Sequence, residues 1–180
     1  MRRRLGSVVL LALMASVLSS QTADGVENET PPQRPKVEIR LSSEAQLAKG
    51  EINFDDLMFD IEYDAPFDTS MWTKRLKRIN GKKVKLRGYI LPSSVFQSEG
   101  IKQFVLVRDN QECCFGPGAA LFDCVIVEME GKASADFTVR PVTVEGKFIL
   151  DPEKYKYPGG KGPRGATHMA VFRIKGLDVQ

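Results

Sequence analysis

The chain has 180 residues, with 26 Lys and Arg against 23 Asp and Glu. Setting aside Arg2, Arg3 and Arg4, which lie in an N-terminal leader, 23 basic residues face 23 acidic ones. That balance argues against a nucleic-acid binder working by bulk charge, and the remaining length suits one domain with one core.

Arg2 to Arg4 form a basic start, Val8 to Leu18 an apolar run, and Ser19 to Ala23 a small polar stretch. This is the order of a secretory signal peptide. The run is much shorter than the ~20 apolar residues that cross a bilayer core. Residues 1–22 are therefore predicted to be a cleaved signal, with no membrane span afterwards, and the chain is expected to be exported, periplasmic or secreted. No cysteine precedes Cys113, so a lipid-anchored N-terminus is excluded. Residues 23–36, "ADGVENETPPQRPK", offer almost nothing to bury and are predicted to be a disordered leader. Residues 37–180 are then a single OB-like β domain.

Weak alternation runs through "VEIRLSSEAQLAKG". Between Glu51 and Asp68 lie seven acidic residues and no basic one; between Lys74 and Arg87 lie eight basic residues and no acidic one. The two blocks are expected to be solvated and to neutralise each other in part. The acidic block lacks the ligand spacing of an EF-hand loop, and its interleaved Ile52, Phe54, Leu57, Phe59 and Ile61 read as core. "DTSMWTKRLKRIN" predicts one short helix, with Asp68, Thr69 or Ser70 as cap and Trp72, Leu76 and Ile79 at helical spacing.

Beyond Asn80-Gly81 the period changes to two. "KKVKLRGYILP", "QFVLVRD", "DCVIVEME", "RPVTVEGKFIL" and "HMAVFRIKGLDV" predict five strands. Two of them share Val-x-Leu/Val-x-Gly, in "VKLRG" and "VTVEG", and a glycine inside a strand relieves crowding where a barrel strand bends. The predicted class is mainly β: a small OB-like barrel of five or six strands with one short helix.

Gly116-Pro117-Gly118 has the chemistry of a tight turn, placed between the second and third strands. Cys113 and Cys114 precede it and Cys124 follows. Three readings of these thiols stand. A disulfide from Cys124 to Cys113 or Cys114 suits an oxidising compartment and leaves one surplus thiol. A strained ring between Cys113 and Cys114 would make a thiol redox protein. A zinc or copper site would use Cys113, Cys114, Cys124 and His168, which match a Cys₃His set by count though not by the usual spacing. His168 shares the parity of Ala170, Phe172 and Ile174 and is expected to open the last strand, as a packing residue or a ligand. A Cys-His nucleophile lacks any identifiable orienting group.

The loop "EKYKYPGGKGPRG", residues 153–165, joins the last two strands. Its Lys154, Lys156, Lys161 and Arg164 interleave with Tyr155 and Tyr157, a composition that either binds an extended polymer or stays solvated.

On "INGKKVKLRGYILP", "FVLVRDNQECCFGPGAALFDCVIVEM" and "RPVTVEGKFI", the sequence resembles a family of exported bacterial proteins grouped as a domain of unknown function, over about residues 50 to 177. The resemblance implies a secreted or periplasmic domain in an envelope context and brings no reaction. Some members carry Cys-x-His and a proline run where this chain has Cys114-Phe115-Gly116-Pro117. The cysteine carries over to Cys113 or Cys114, and the histidine has no counterpart. The expected function is an exported, non-catalytic binding module working at one barrel end, with metal handling as its sharpest form. The alternatives are an interaction scaffold that contacts an envelope protein or anionic polymer through the 153–165 loop, and a thiol redox protein.

Overall fold

Each of the five alternating segments is a strand. The structure is a computed structural model and describes residues 38–61, 65–109 and 121–180. The predicted signal peptide and leader, together with Cys113, Cys114, Gly116, Pro117 and Gly118, lie outside the described residues. Glu38–Gln180 forms one compact unit. Its elements in order are α1 (Glu44–Ala48), β1 (Glu51–Ile52), α2 (Lys74–Ile79), β2 (Lys83–Ile90), β3 (Gln103–Val107), β4 (Cys124–Met129), β5 (Val142–Leu150) and β6 (Phe172–Val179). Among the described residues no helix is long and apolar enough to cross a membrane.

The strand order is β1-β2-β3-β4-β6-β5, and β2 also pairs with β5, which closes a five-strand barrel. β4 and β6 are parallel; the other barrel pairs are antiparallel. The sheet is thus a closed five-strand barrel carrying one extra strand, β1. One edge of β2 lies along β5, while the other is shared between the added strand β1, at Lys85 and Leu86, and β3, at Tyr89 and Ile90.

The two glycine-ended repeats meet head to tail, Val84 opposite Gly146 and Gly88 opposite Val142. A side chain at Gly146 would run into the Lys175 carbonyl, and a Cβ at Gly88 would sit 2.6 Å from the Val107 carbonyl oxygen. The β5–β6 ladder breaks register between Glu145 and Gly146. The glycines are therefore where neighbouring backbones come too close for a side chain.

Phe104, Leu106, Val125, Val127, Phe148, Phe172 and Ile174 fill the barrel, and Phe54, Leu57, Phe59, Phe67, Leu76 and Ile79 add to the same core. A second cluster of Leu91, Val105, Val107, Cys124, Ile126 and Ala170 packs with Tyr89 and Tyr155. β3 and β4 are thus buried on both faces, which is why their sequences read as continuous apolar runs.

Three expectations need correction. The segment 68–80 is not one helix: Asp68 caps a 3-10 turn at Thr69–Met71, and Thr73 separately caps α2 by accepting from Leu76 N at 3.2 Å. There is also a second short helix, α1, started by a capping box in which the Ser43 and Gln46 side chains each accept the other's backbone N–H. Finally, β6 begins at Phe172, because His168 is taken up in an isolated bridge with Lys156.

Candidate functional site

Cys124 starts β4, is 2 % exposed, and belongs to the second apolar cluster. His168 is 6 % exposed and packs edge-on against Phe67 at 5.1 Å between ring centres. Its Nε2–H donates to the Pro152 carbonyl at 2.7 Å, and Nδ1 lies 2.7 Å from Thr167 Oγ1. Thr167 Oγ1 in turn accepts the Phe67 N–H at 3.0 Å. Both ring nitrogens are therefore spent within the β5–β6 connection, on Pro152 and Thr167, and it is Thr167 that ties this connection to Phe67 of the N-terminal segment. Among the described residues no group of three or more His, Cys, Asp and Glu is placed to hold a metal ion.

The 153–165 loop divides into a clamped base and an outer part. Glu128 on β4 accepts hydrogen bonds from Lys154 Nζ, Tyr155 Oη and Arg173 Nη1, and Arg173 Nη2 reaches Asp151 at 2.7 Å. Burial, then the bond to Glu128, pushes the Tyr155 phenol well above its ordinary value, so the hydroxyl keeps its proton and donates. For Glu128 and Asp151, burial pushes upward, but hydrogen bonds and cations outweigh it and both carboxyls lie below their usual range. Lys154 and Tyr155 act on Glu128; the Lys154 N–H and Arg173 act on Asp151. Lys154 and Tyr155 are thus anchoring residues. Lys156 and Lys161 are exposed, and Tyr157 is half-buried over Gly162. The Arg164 side chain lies outside the description.

A second concentration of cations lies where the two helices end. α1 ends at Gly50, whose φ of 78° puts its backbone where a Cβ would lie 2.6 Å from the Lys83 carbonyl oxygen. The Gly50 carbonyl accepts Lys85 N at 2.8 Å, which ties the end of α1 to β2. α2 ends at Asn80, and Gly81 at φ 77° turns the chain. Lys82 is then fixed from both sides, its N–H on the Ile79 carbonyl and its carbonyl on Phe148 N at 2.9 Å. Two helix ends thereby bring Lys49, Arg78 and Lys82 beside Lys83 and Lys85 of β2.

They border a groove of about 490 Å³ whose apolar lining is Leu47, Ala48, Ile52, Ile79 and Val84, with Glu145 of β5 as its one acidic lining residue. Glu145 is shared by Lys83 and Lys85, which hold its carboxyl below the usual range. Arg78 pairs with Glu44. Lys49 and Lys82 make no ion pair among the described residues. A second cavity, about 190 Å³, is lined by residues including Tyr89, Leu91, Val107, Asp109, Phe137 and Val139, with no cation among the described residues that line it.

The model of the protein-of-unknown-function family DUF3299 matches residues 35–162. The chain belongs to that family. A solved DUF3299 member, from Pseudomonas aeruginosa PAO1, is similar over 72% of this chain and 93% of its own, with 19% identity and a TM-score of 0.46. No functionally curated protein matches. The DUF3299 match takes in the whole groove lining and Cys124, and stops before His168 and β6.

The groove is not legible in the sequence, although Arg78, Lys82, Lys83 and Lys85 belong to the basic block between Lys74 and Arg87. Lys49 is 33 residues before Lys82 in the chain, and only the two glycine turns bring them together. The Glu128 clamp is not legible either: in "CVIVEM" the glutamate passes for an outward polar residue, and nothing local marks its partners on a loop and on another strand.

Proposed function

We propose that this DUF3299 member is an exported, non-catalytic binding module whose working surface is the basic groove at one end of the barrel, and that its partner is an anionic envelope polymer. The leader of residues 1–22 supports export. The observation that carries the proposal is the imbalance of the groove: Lys49, Arg78, Lys82, Lys83 and Lys85 line it against Glu145. Its volume is in the ~300–1,000 Å³ range of ligand sites.

The metal-handling form of the module, zinc or copper on Cys113, Cys114, Cys124 and His168, draws no support from His168, whose nitrogens already hold Pro152 and Thr167. Contact through the 153–165 loop keeps Lys161 and Lys156 as exposed cations, Lys156 lying 3.9 Å from Glu153. Lys154 and Tyr155, expected to touch the partner, instead face Glu128.

Retention on immobilised heparin, a soluble polyanion, tests the reading. The Lys49→Ala/Lys82→Ala variant should elute at clearly lower salt than the parent, while Lys156→Ala/Lys161→Ala should elute near it. Unchanged elution of the groove variant would reject the groove as the working surface.

A further inference from the structure

Two cations in the groove are left over. Lys83 and Lys85 share Glu145, and Arg78 is matched by Glu44. Lys49 and Lys82 have no such partner among the described residues, and no hydrogen bond ties either Nζ to a helix-end carbonyl. Their placement therefore goes beyond the usual compensation of helix C-termini by nearby lysines. Each is exposed, so each is hydrated and can turn toward a ligand at little cost. The groove's accessible apolar surface comes from Leu47, half-buried, and Ala48, exposed, with Ile52, Ile79 and Val84 buried as its floor.

We infer that the anionic group the groove takes is a phosphate monoester, the phosphate between Lys49 and Lys82 and the adjoining apolar part of the ligand against Leu47 and Ala48. This rests on the groove being the working surface. Charge decides the class. A phosphate monoester carries about −1.5 to −2 at neutral pH, which matches two uncompensated ammonium groups; a carboxylate or a sulfate ester, with one negative charge, leaves a cation unmatched. Lysines serve phosphate as mobile point charges, whereas planar carboxylates are better held by a guanidinium fork, and the groove's guanidinium, Arg78, is already committed to Glu44.

Calorimetric titration of the purified chain with phenyl phosphate, phenyl sulfate and benzoate tests this. Phenyl phosphate should bind saturably and at least tenfold tighter than the other two. Its affinity should fall as pH drops from 7.5 to 5, because the second phosphate ionisation lies near 6, while phenyl sulfate binding changes little. Lys49→Ala/Lys82→Ala should lose at least tenfold with an unchanged melting temperature, and Lys49→Arg/Lys82→Arg should recover most of it. Equal affinity for phenyl sulfate or benzoate, or full phenyl phosphate affinity in the double alanine variant, would overturn the inference. If phenyl phosphate fails while heparin retention still depends on Lys49 and Lys82, the phosphate assignment falls and the groove stands. If both fail, the groove falls too.

Discussion

Asp56 is the acidic side chain on which the N-terminal segment hangs. At 1 % exposure it accepts from Ser42 N at 3.0 Å, Ser42 Oγ at 2.6 Å, Asn53 N at 2.9 Å and Arg75 Nη1 at 2.8 Å. Removing the carboxylate strands buried donors and leaves Arg75 without its partner, a loss of about 3 kcal/mol. Asp56→Ala should lower the urea midpoint accordingly at unchanged slope, with Asp56→Asn falling between; a parent-like midpoint for Asp56→Ala would show that water replaces the network. The Glu128 clamp predicts a pH response. Glu128 and Asp151 have lower folded than unfolded pKa values. Their contribution is therefore full above the unfolded values of about 4.3 and 3.9, and is lost as pH falls through the folded ones. Melting temperature should hold from pH 7 to about 5 and drop below about 4. Tyr155→Phe removes one donor to Glu128, costs about 1 kcal/mol, and should move the acid transition to higher pH.

At the scale of elements, the barrel depends on close backbone approaches that only glycine permits. Gly146→Ala drives a methyl into the Lys175 carbonyl and the Ile174 side chain, with no flexible neighbour to yield on the carbonyl side. The expected cost is about 4 kcal/mol or more, at the exceptional end for one substitution. Gly131→Ala is the contrast: φ is 57°, but nothing lies within 4 Å of the added Cβ, so only the backbone strain of about 1 kcal/mol remains. Similar losses at the two positions, measured by denaturant unfolding, would contradict the crowding account. These glycines were legible in "VKLRG" and "VTVEG" because strand crowding leaves a local mark. α1 and β1 were not, since five helical residues and a two-residue strand are shorter than the repeats that periodicity needs.

For the whole molecule, the barrel was legible because strand patterning repeats within each segment, and Gly88 and Gly146 mark where β2 and β5 come closest to their neighbours. The candidate site was not. Cys113, Cys114, Cys124 and His168 stand out in the sequence because those residue types are rare in this chain, yet rarity is not geometry: His168 is a packing residue with two satisfied nitrogens. Lysine is common, and the groove emerges only when α1 and α2 both end on β2. The opposite charge blocks were expected to be solvated, and Asp56 departs from that expectation because buried Ser42 and half-buried Asn53 and Arg75 satisfy its carboxylate. The central claim is that a polyanion is held by the groove cations. It is tested most directly by the salt dependence of heparin affinity in the parent and in Lys49→Ala/Lys82→Ala. The slope of log affinity against log salt should flatten by about two ion contacts in the variant; identical slopes would contradict the account.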